Sequence, residues 1–268
     1  MAVDDPCTWL EPVREIAHAA GRSVLDIYER EYEVEEKDDH TPVTDADRRS
    51  HEIILARLQA LTPEIPVLSE ESTMVDFDKR AAWKQFWLVD PLDGTQEFIN
   101  RNGEFTVNIA LIDRHRPVLG VVYVPVPALT YFACAGQGAH RQKGGCDVET
   151  IRVRRYDSGK PIVVASRTHA GDATETFLKN IGPHDVVTMG SAMKFCLVAQ
   201  GAADVYPRLG PTMEWDTAAA QCVVEAAGGR VTDLNRQPIG YNKPTLRNPS
   251  FLVSGAGDYD WCRHLSGL

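Results

Sequence analysis

The stretch Phe86-Trp87-Leu88-Val89-Asp90-Pro91-Leu92-Asp93-Gly94-Thr95 decides how the chain is read. Phe86 to Val89 have the aromatic and branched character of a buried strand, and they run directly into a segment where Pro91 and Gly94 force a tight turn. Two carboxylates, Asp90 and Asp93, therefore stand at a strand end, where α/β proteins gather their ligands. Gln96–Ile99 predicts a short helix whose first free N–H groups point toward an anion. Cation ligands and an anion cradle thus lie within a few residues of each other. An Asx-turn that merely closes a strand uses the same letters, so this segment needs support from elsewhere in the chain.

Outward from the turn the periodicity changes twice. Before it, Val13 to Tyr28 places Ile16, Ala20, Val24 and Ile27 on one helical face, and Asp45 to Leu61 does the same with Ile54, Leu58 and Leu61. From Ile65 short β-rich runs follow: IPVL, FWLV, FTVNIALI, VLGVVYV and LTYFA, the last ending at the turn-like GQG. A second set opens near Pro161 with the strand PIVVAS. It continues with helices around Asp172–Asn180 and Ser191–Gln200, the strand ADVYPRL, and a helix from about Glu214 to Ala227 closed by Gly228-Gly229. RVTDL and SFLVSG read as closing strands. The basic, polar stretch RVRRYDSGK at 152–160 is the candidate junction. The expected organisation is an N-terminal α+β domain, 1–158, with most of the functional acids, and a C-terminal α/β domain, 159–268. Helices and strands in blocks on both sides favour layered α/β packing over a simple βαβ repeat.

Composition narrows the function. With 38 acidic against 28 basic residues the formal charge is −10, which gives no footprint for a nucleic acid polymer or an anionic membrane. A small anionic substrate needs a locally reversed field, from bound divalent cations or a few converging Lys and Arg. The N-terminus MAVDDPCTWLEP lacks the basic-then-apolar run of a signal peptide, and no stretch approaches a transmembrane span. A cytoplasmic location is expected, with peripheral association at the cytoplasmic face of a membrane left open. The cysteines, at 7, 134, 146, 196, 222 and 262, form no C-x-x-C pair, and free, mostly buried thiols are expected. No H-x-x-x-H pair suggests zinc. Whether the chain is a monomer or a homodimer stays undecided.

Further acids share the pattern of the opening turn. Glu70 and Glu71 follow the strand Ile65–Leu68, and Asp216 falls near the start of the helix expected around Trp215. A solvated loop and a favourable helix dipole are the plain explanations. Asp47 has a stronger one, since Thr44-x-x-Asp47 fits a capping box. If these acids converge, however, their repulsion demands cations, and an all-oxygen ligand set suits Mg²⁺ or Mn²⁺ better than zinc.

VTDAD at 43–47, SEES at 69–72, DPLDGT at 90–95 and EWDTAAA at 214–220 together resemble the inositol monophosphatase superfamily of lithium-sensitive, metal-dependent phosphatases, in that family's order. Within it, DPLDGTQEFINRNGEFTVNIALI at 90–112 and GSAMKFCLVAQGAADVYPRLGPTMEWDTAAA at 190–220 are most similar to the 3′(2′),5′-bisphosphate nucleotidases. The departures are Gln96, where that subgroup often has Lys, and Ala192-Met193 in place of a Ser-Leu pair.

The resemblance implies alternating α/β/α/β/α layers of the inositol monophosphatase and fructose-1,6-bisphosphatase type, with two to three Mg²⁺ per active site and Mn²⁺ as a substitute. It assigns one metal to Glu70, Asp90 and the Leu92 carbonyl, and a second to Asp90, Asp93 and Asp216. A third, weaker cation falls to Glu70 and, through water, Asp47. Asp47, Thr95 and Glu70 become the catalytic residues, and the backbone of Gly94 and Thr95 holds phosphate oxygens. Ser191, Lys194 and Arg208 match the nucleotidases' spacing for substrate contacts, with Ser191 and Lys194 expected on one helical face; Ser166 and His169 are further candidates for ribose or adenine.

The implied reaction is hydrolysis of adenosine 3′,5′-bisphosphate to AMP and phosphate in sulfur-assimilation clearance, with 3′-phosphoadenylyl sulfate as a second substrate. Two alternatives stay open. One is an inositol monophosphatase or fructose-1,6-bisphosphatase-like sugar phosphatase, and the other a catalytically silent metal- or nucleotide-sensing protein.

Overall fold

A 3-10 turn at Pro6–Trp9, capped by the Asp5 side chain, leads into helix α1 (Leu10–Tyr28). The computed structural model describes residues 5–30, 34–36, 42–166 and 171–267. After α1 come the paired strands β1 (Val34–Glu36) and β2 (Pro42–Thr44), then α2 (Asp45–Leu61), β3 (Val67–Ser69), the one-turn α3 (Phe77–Arg80), β4 (Gln85–Asp93) and α4 (Thr95–Ile99). An antiparallel run continues through β5 (Thr106–Asp113), β6 (Arg116–Val124), β7 (Leu129–Cys134), β8 (Ala139–Lys143) and β9 (Glu149–Ile151). Then follow β10 (Ile162–Ser166), α5 (Asp172–Ile181), β11 (Asp185–Met189), α6 (Met193–Ala199), β12 (Val205–Arg208), α7 (Ala218–Ala226), β13 (Arg230–Asp233) and β14 (Phe251–Ser254).

The strands form a seven-stranded sheet in the order β3-β4-β5-β6-β7-β8-β9 and a five-stranded one in the order β11-β10-β12-β14-β13. Both faces of the larger sheet are covered. On one, Val13, Ile16 and Ala20 of α1 and Ile54 and Leu58 of α2 pack on Trp87, Ile109, Leu111 and Val121. On the other, Leu88, Ala110 and Val122 join Phe195 of α6 and Ala219, Cys222 and Val223 of α7, which also meet Tyr206, Phe251 and Val253 of the smaller sheet. Phe177 of α5 and Trp261 cover that sheet's outer face. The expected α/β/α/β/α layering is therefore observed. Burial on both sides explains why FTVNIALI lacks alternation: every residue of β5 but Asp113 is buried.

Two local devices hold the layers close. Gly120 on β6 faces α7, where a Cβ would lie 2.3 Å from the Ala219 carbonyl oxygen; glycine opposite the alanine-rich start of α7 lets helix and sheet approach. The stretch 152–160 is pinned to the end of α7 by a backbone bond from Val153 to Ala227, and beside the second sheet by one from Tyr156 to Ala256 and by an Arg154–Asp204 ion pair whose carboxylate also accepts from the Ile162 N–H.

The fold departs from several expectations. β4 runs through Asp93 instead of ending at Val89, because after a bulge the ladder to β5 resumes at Asp93 opposite Thr106. β8, β9 and β11 are unanticipated: AHRQK is polar, ETI is short and DVVTM is a mostly exposed run, and β9 and β11 lie at sheet edges where neighbours decide the pairing. Nor are all cysteines free. Cys7 and Cys134 form a disulfide, since the first 3-10 turn lies against the end of β7 with the two Cα atoms 5.6 Å apart; Cys196 and Cys222 are buried thiols and Cys146 is exposed. Among the described residues no helix is long and apolar enough to cross a membrane.

Candidate active site

The site begins with the parallel register of β3 and β4. Ser69 pairs with Val89 and the Glu70 N–H donates to the Val89 carbonyl at 3.1 Å, so the next residues, Glu70 and Asp90, emerge side by side. In the turn beyond, the Leu92 N–H donates to Asp90 Oδ1 at 3.1 Å, and Ser50 of α2 donates to the Pro91 carbonyl at 2.7 Å. The bulge brings Asp93 back against β5. There its Oδ2 accepts from Thr106 Oγ1, Asn108 Nδ2 and the Ala192 N–H, at 3.2, 3.3 and 2.6 Å.

Asp216 arrives from the other half of the chain. It lies not in the first turn of a helix, as expected, but in the turn before α7, where its Oδ2 accepts from the Met213 N–H at 2.8 Å. A buried polar network holds that turn. Glu214, fully buried, accepts from the Asn242 N–H at 2.7 Å and from Lys243 Nζ at 2.6 Å, while Asn248 donates to the Met213 carbonyl and to Thr217 Oγ1. Lys243→Met should therefore cost about 2–3 kcal/mol, because it leaves a buried carboxylate short of its cation while two backbone donors remain. Urea unfolding measures this, and a loss under 0.5 kcal/mol would remove Lys243 from the support of the turn.

One oxygen each of Glu70, Asp90 and Asp216 lie within 4.8 Å of one another. Asp93 stands outside that trio but within its field. Burial, then Glu70, Asp93 and Asp216, push the Asp90 carboxyl well above the usual range; burial, then Asp93 and Glu70, do the same to Asp216. Asp93 is also raised by burial, against the pull of Lys194 and its three hydrogen bonds. A buried, mutually repelled, all-oxygen set fits a hard divalent cation.

Asp47 makes two sets of contacts. Its Oδ2 accepts from the Thr44 N–H and hydroxyl, both at 2.7 Å, completing the capping box of α2, and its Oδ1 accepts from Thr95 Oγ1 at 3.1 Å. The Thr95 hydroxyl also lies 3.3 Å from the Leu92 carbonyl oxygen. Burial raises the Asp47 pKa although the Thr44 bonds oppose the shift.

These groups open on a cavity of about 390 Å³. Glu70, Asp90, Leu92, Asp93, Gly94, Thr95 and Asp216 line it together with Ser166, Ser191, Lys194 and Arg208. Asp47 stands behind Thr95, and His169 lies outside the described residues. Ser191 and Lys194 do share the cavity, but not as one helical face: Ser191 has φ +42°, and α6 begins only at Met193. Burial lowers the Lys194 pKa to about 8, with Asp93 pulling it up and Arg208 pushing it down. Arg208 donates to the Pro211 carbonyl at 2.8 Å. Glu97, Phe195, Tyr206 and Thr212 also line the cavity and were not anticipated. For Glu97 the available signal was an acid at the third position of the short helix after Gly94, which reads locally as a cap.

The sequence matches the inositol monophosphatase family over residues 6–263. It is 46% identical over 249 residues to the 3′(2′),5′-bisphosphate nucleotidase CysQ of Escherichia coli (strain K12), covering 91% of this chain and 99% of that one. The fold is similar to the crystal structure of CysQ from Bacteroides thetaiotaomicron, a bacterial member of the inositol monophosphatase family, with TM-score 0.80, 43% identity, and 91% of this chain and 95% of that one covered. An inositol monophosphatase from Anabaena (Nostoc) sp. PCC 7120 has TM-score 0.77 at 26% identity, over 98% and 96% of the two chains. A family match along nearly the whole sequence, with a fold shared by solved members, means that this chain belongs to the inositol monophosphatase family.

Proposed function

We propose that this chain is a 3′(2′),5′-bisphosphate nucleotidase, a metal-dependent phosphoric monoester hydrolase that converts adenosine 3′,5′-bisphosphate to AMP and phosphate, with 3′-phosphoadenylyl sulfate as a second substrate. The observation that carries it is that one cavity is lined both by the acids and by the cations Lys194 and Arg208. A molecule with two phosphates fits that combination, one met through cations held by the acids and one by the two basic side chains. The names of the similar bacterial nucleotidases support the same substrate class.

Enzymes of the family are metal-dependent. Glu70, Asp90, the Leu92 carbonyl, Asp93 and Asp216 would hold Mg²⁺, with Mn²⁺ able to substitute in the same oxygen set. Bound there, the cations supply charge neutralisation for the phosphate, a more acidic water and stabilisation of the leaving alkoxide. Thr95 orients the attacking water. Its hydroxyl donates to Asp47, so its own oxygen is free to accept a proton from that water, and Asp47, made more basic by burial, takes the proton passed on. The Gly94 and Thr95 backbone holds phosphate oxygens. In this reading the 1–158 domain supplies the attack, and the 159–268 domain adds Asp216 and the leaving group's contacts at Ser166, Ser191, Lys194 and Arg208.

Phosphate release from adenosine 3′,5′-bisphosphate, AMP, inositol 1-phosphate and fructose 1,6-bisphosphate tests the reading. The bisphosphate nucleotide should be the preferred substrate. Lys194→Ala and Arg208→Ala should each lower its kcat/KM at least about tenfold, roughly 1.4 kcal/mol, by deleting a charge-assisted contact to the remote phosphate. Inositol 1-phosphate turnover should change much less. Equal losses on both substrates would assign the two cations to the fold or the common phosphate site and remove the physical basis for choosing a nucleotide.

A further inference from the structure

Glu97 is the third residue of the helix that Gly94 caps, the position from which a capping-box acid reaches back to the cap N–H. It does not do so here: no side-chain bond caps α4. The side chain is nonetheless 7% exposed, and no described residue donates a hydrogen bond to its carboxylate, which faces the substrate cavity. Its Oε2 lies 3.2 Å from where a Cβ on Gly94 would stand, and the Ser191 Cβ lies 3.3 Å from that same point. Ser191 and Lys194 share its condition. Ser191 Oγ is buried without a hydrogen-bond partner among the described residues, and Lys194, also 7% exposed, makes no side-chain hydrogen bond to them; its Nζ stands 5.6 Å from the centroid of Tyr206, in the field of Asp93 and Glu97.

A carboxylate acceptor, a hydroxyl and an ammonium, each at least nine-tenths buried, thus face one cavity without a hydrogen bond from the described residues. Polar groups are left in this state where a ligand completes them. The cation suits a phosphate, but the carboxylate repels one and requires an uncharged donor. Since Glu97 stands beside Gly94, whose backbone is assigned to the scissile phosphate, that donor must lie close to the ester carbon. In a nucleoside 3′-phosphate it is the hydroxyl on the neighbouring carbon.

We propose that Glu97 is a specificity-determining residue that accepts a hydrogen bond from the ribose hydroxyl vicinal to the scissile phosphate, so that the enzyme distinguishes ribonucleotides from deoxyribonucleotides. This inference rests on the nucleotidase reading. A site built around a substrate hydroxyl rejects the analogue that lacks it, because its own buried group then stays unpaired.

The test compares kcat/KM for adenosine 3′,5′-bisphosphate and its 2′-deoxy counterpart in the wild type, Glu97→Gln and Glu97→Ala. The wild type should favour the ribonucleotide at least about tenfold. Glu97→Ala should bring the ratio within about twofold by slowing only the ribonucleotide, and Glu97→Gln, which keeps an acceptor oxygen at the same place, should restore part of the preference. A wild type indifferent to the 2′-hydroxyl overturns the assignment without any variant. Equal losses on both nucleotides also overturn it, making Glu97 a counter-ion for Lys194 or a support for the loop. Should the wild type hydrolyse inositol 1-phosphate but neither nucleotide, the nucleotidase reading itself falls and this inference falls with it.

Discussion

Asp90→Asn should lower kcat/KM by at least about a thousandfold, roughly 4 kcal/mol of transition-state stabilisation, while the metal-free protein melts no lower than the wild type. Asp90 is 1% exposed, and its neighbours Glu70 and Asp216 each bring an oxygen within 4.8 Å. Two unit charges at that separation repel by about 3–4 kcal/mol at an effective dielectric of 20. Without a cation the amide relieves this repulsion; with one it removes the most buried ligand of the trio. The pH dependence has a definite sign. The Asp90 and Asp216 carboxyls titrate above their ordinary range when folded, so the metal-free fold has their full contribution below about pH 4 and loses it as pH rises through the raised values. Metal-free wild type should thus lose melting temperature as pH rises above the ordinary carboxylate range, Mg²⁺ should restore it, and Asp90→Asn should show a shallower loss. Asp216→Ala should match the activity loss. Activity within twofold of wild type at limiting Mg²⁺ would remove either residue from the metal set.

Thr95→Ala should reduce kcat by about a hundredfold, the usual scale for losing one positioned proton acceptor, with KM moving no more than about threefold. The basis is the bond from Thr95 Oγ1 to Asp47 Oδ1, whose carboxylate is 2% exposed and fixed from behind by Thr44. Thr95→Ser, which keeps the hydroxyl, should recover most of the rate, and the Mg²⁺ concentration for half-activation should stay near wild type in both. A rise in KM at unchanged kcat would make Thr95 a substrate contact and end its role in orienting water.

Much of this machinery was legible before any coordinates, and the reason is that it is local. A strand running into Asp90-Pro91-Leu92-Asp93-Gly94-Thr95 and the capping box at Thr44–Asp47 depend on residues within a few positions of each other, and both are observed. The same locality misled at Ser191 and Asp216. Helical letters surround both, yet Ser191 takes a left-handed backbone where the chain passes Asp93 and Glu104, and Asp216 is held in a turn by the network around Glu214. Neither influence is a neighbour in sequence.

By itself, then, the sequence determined most of the helices and central strands, the layered class and the chemical identity of the acids, since hydrophobic period, turn residues and caps act over one or two turns of chain. Only the tertiary structure decided which groups meet. Glu70 reaches Asp90 through the parallel register of β3 and β4, Asp216 reaches both because α7 docks where Gly120 leaves room, and Cys7 bonds Cys134 across 127 residues. The tertiary structure also withheld the cap from Glu97 and turned its carboxylate toward the cavity. Register, docking and the direction of a buried side chain follow from packing between segments far apart in sequence, and no local pattern encodes that packing.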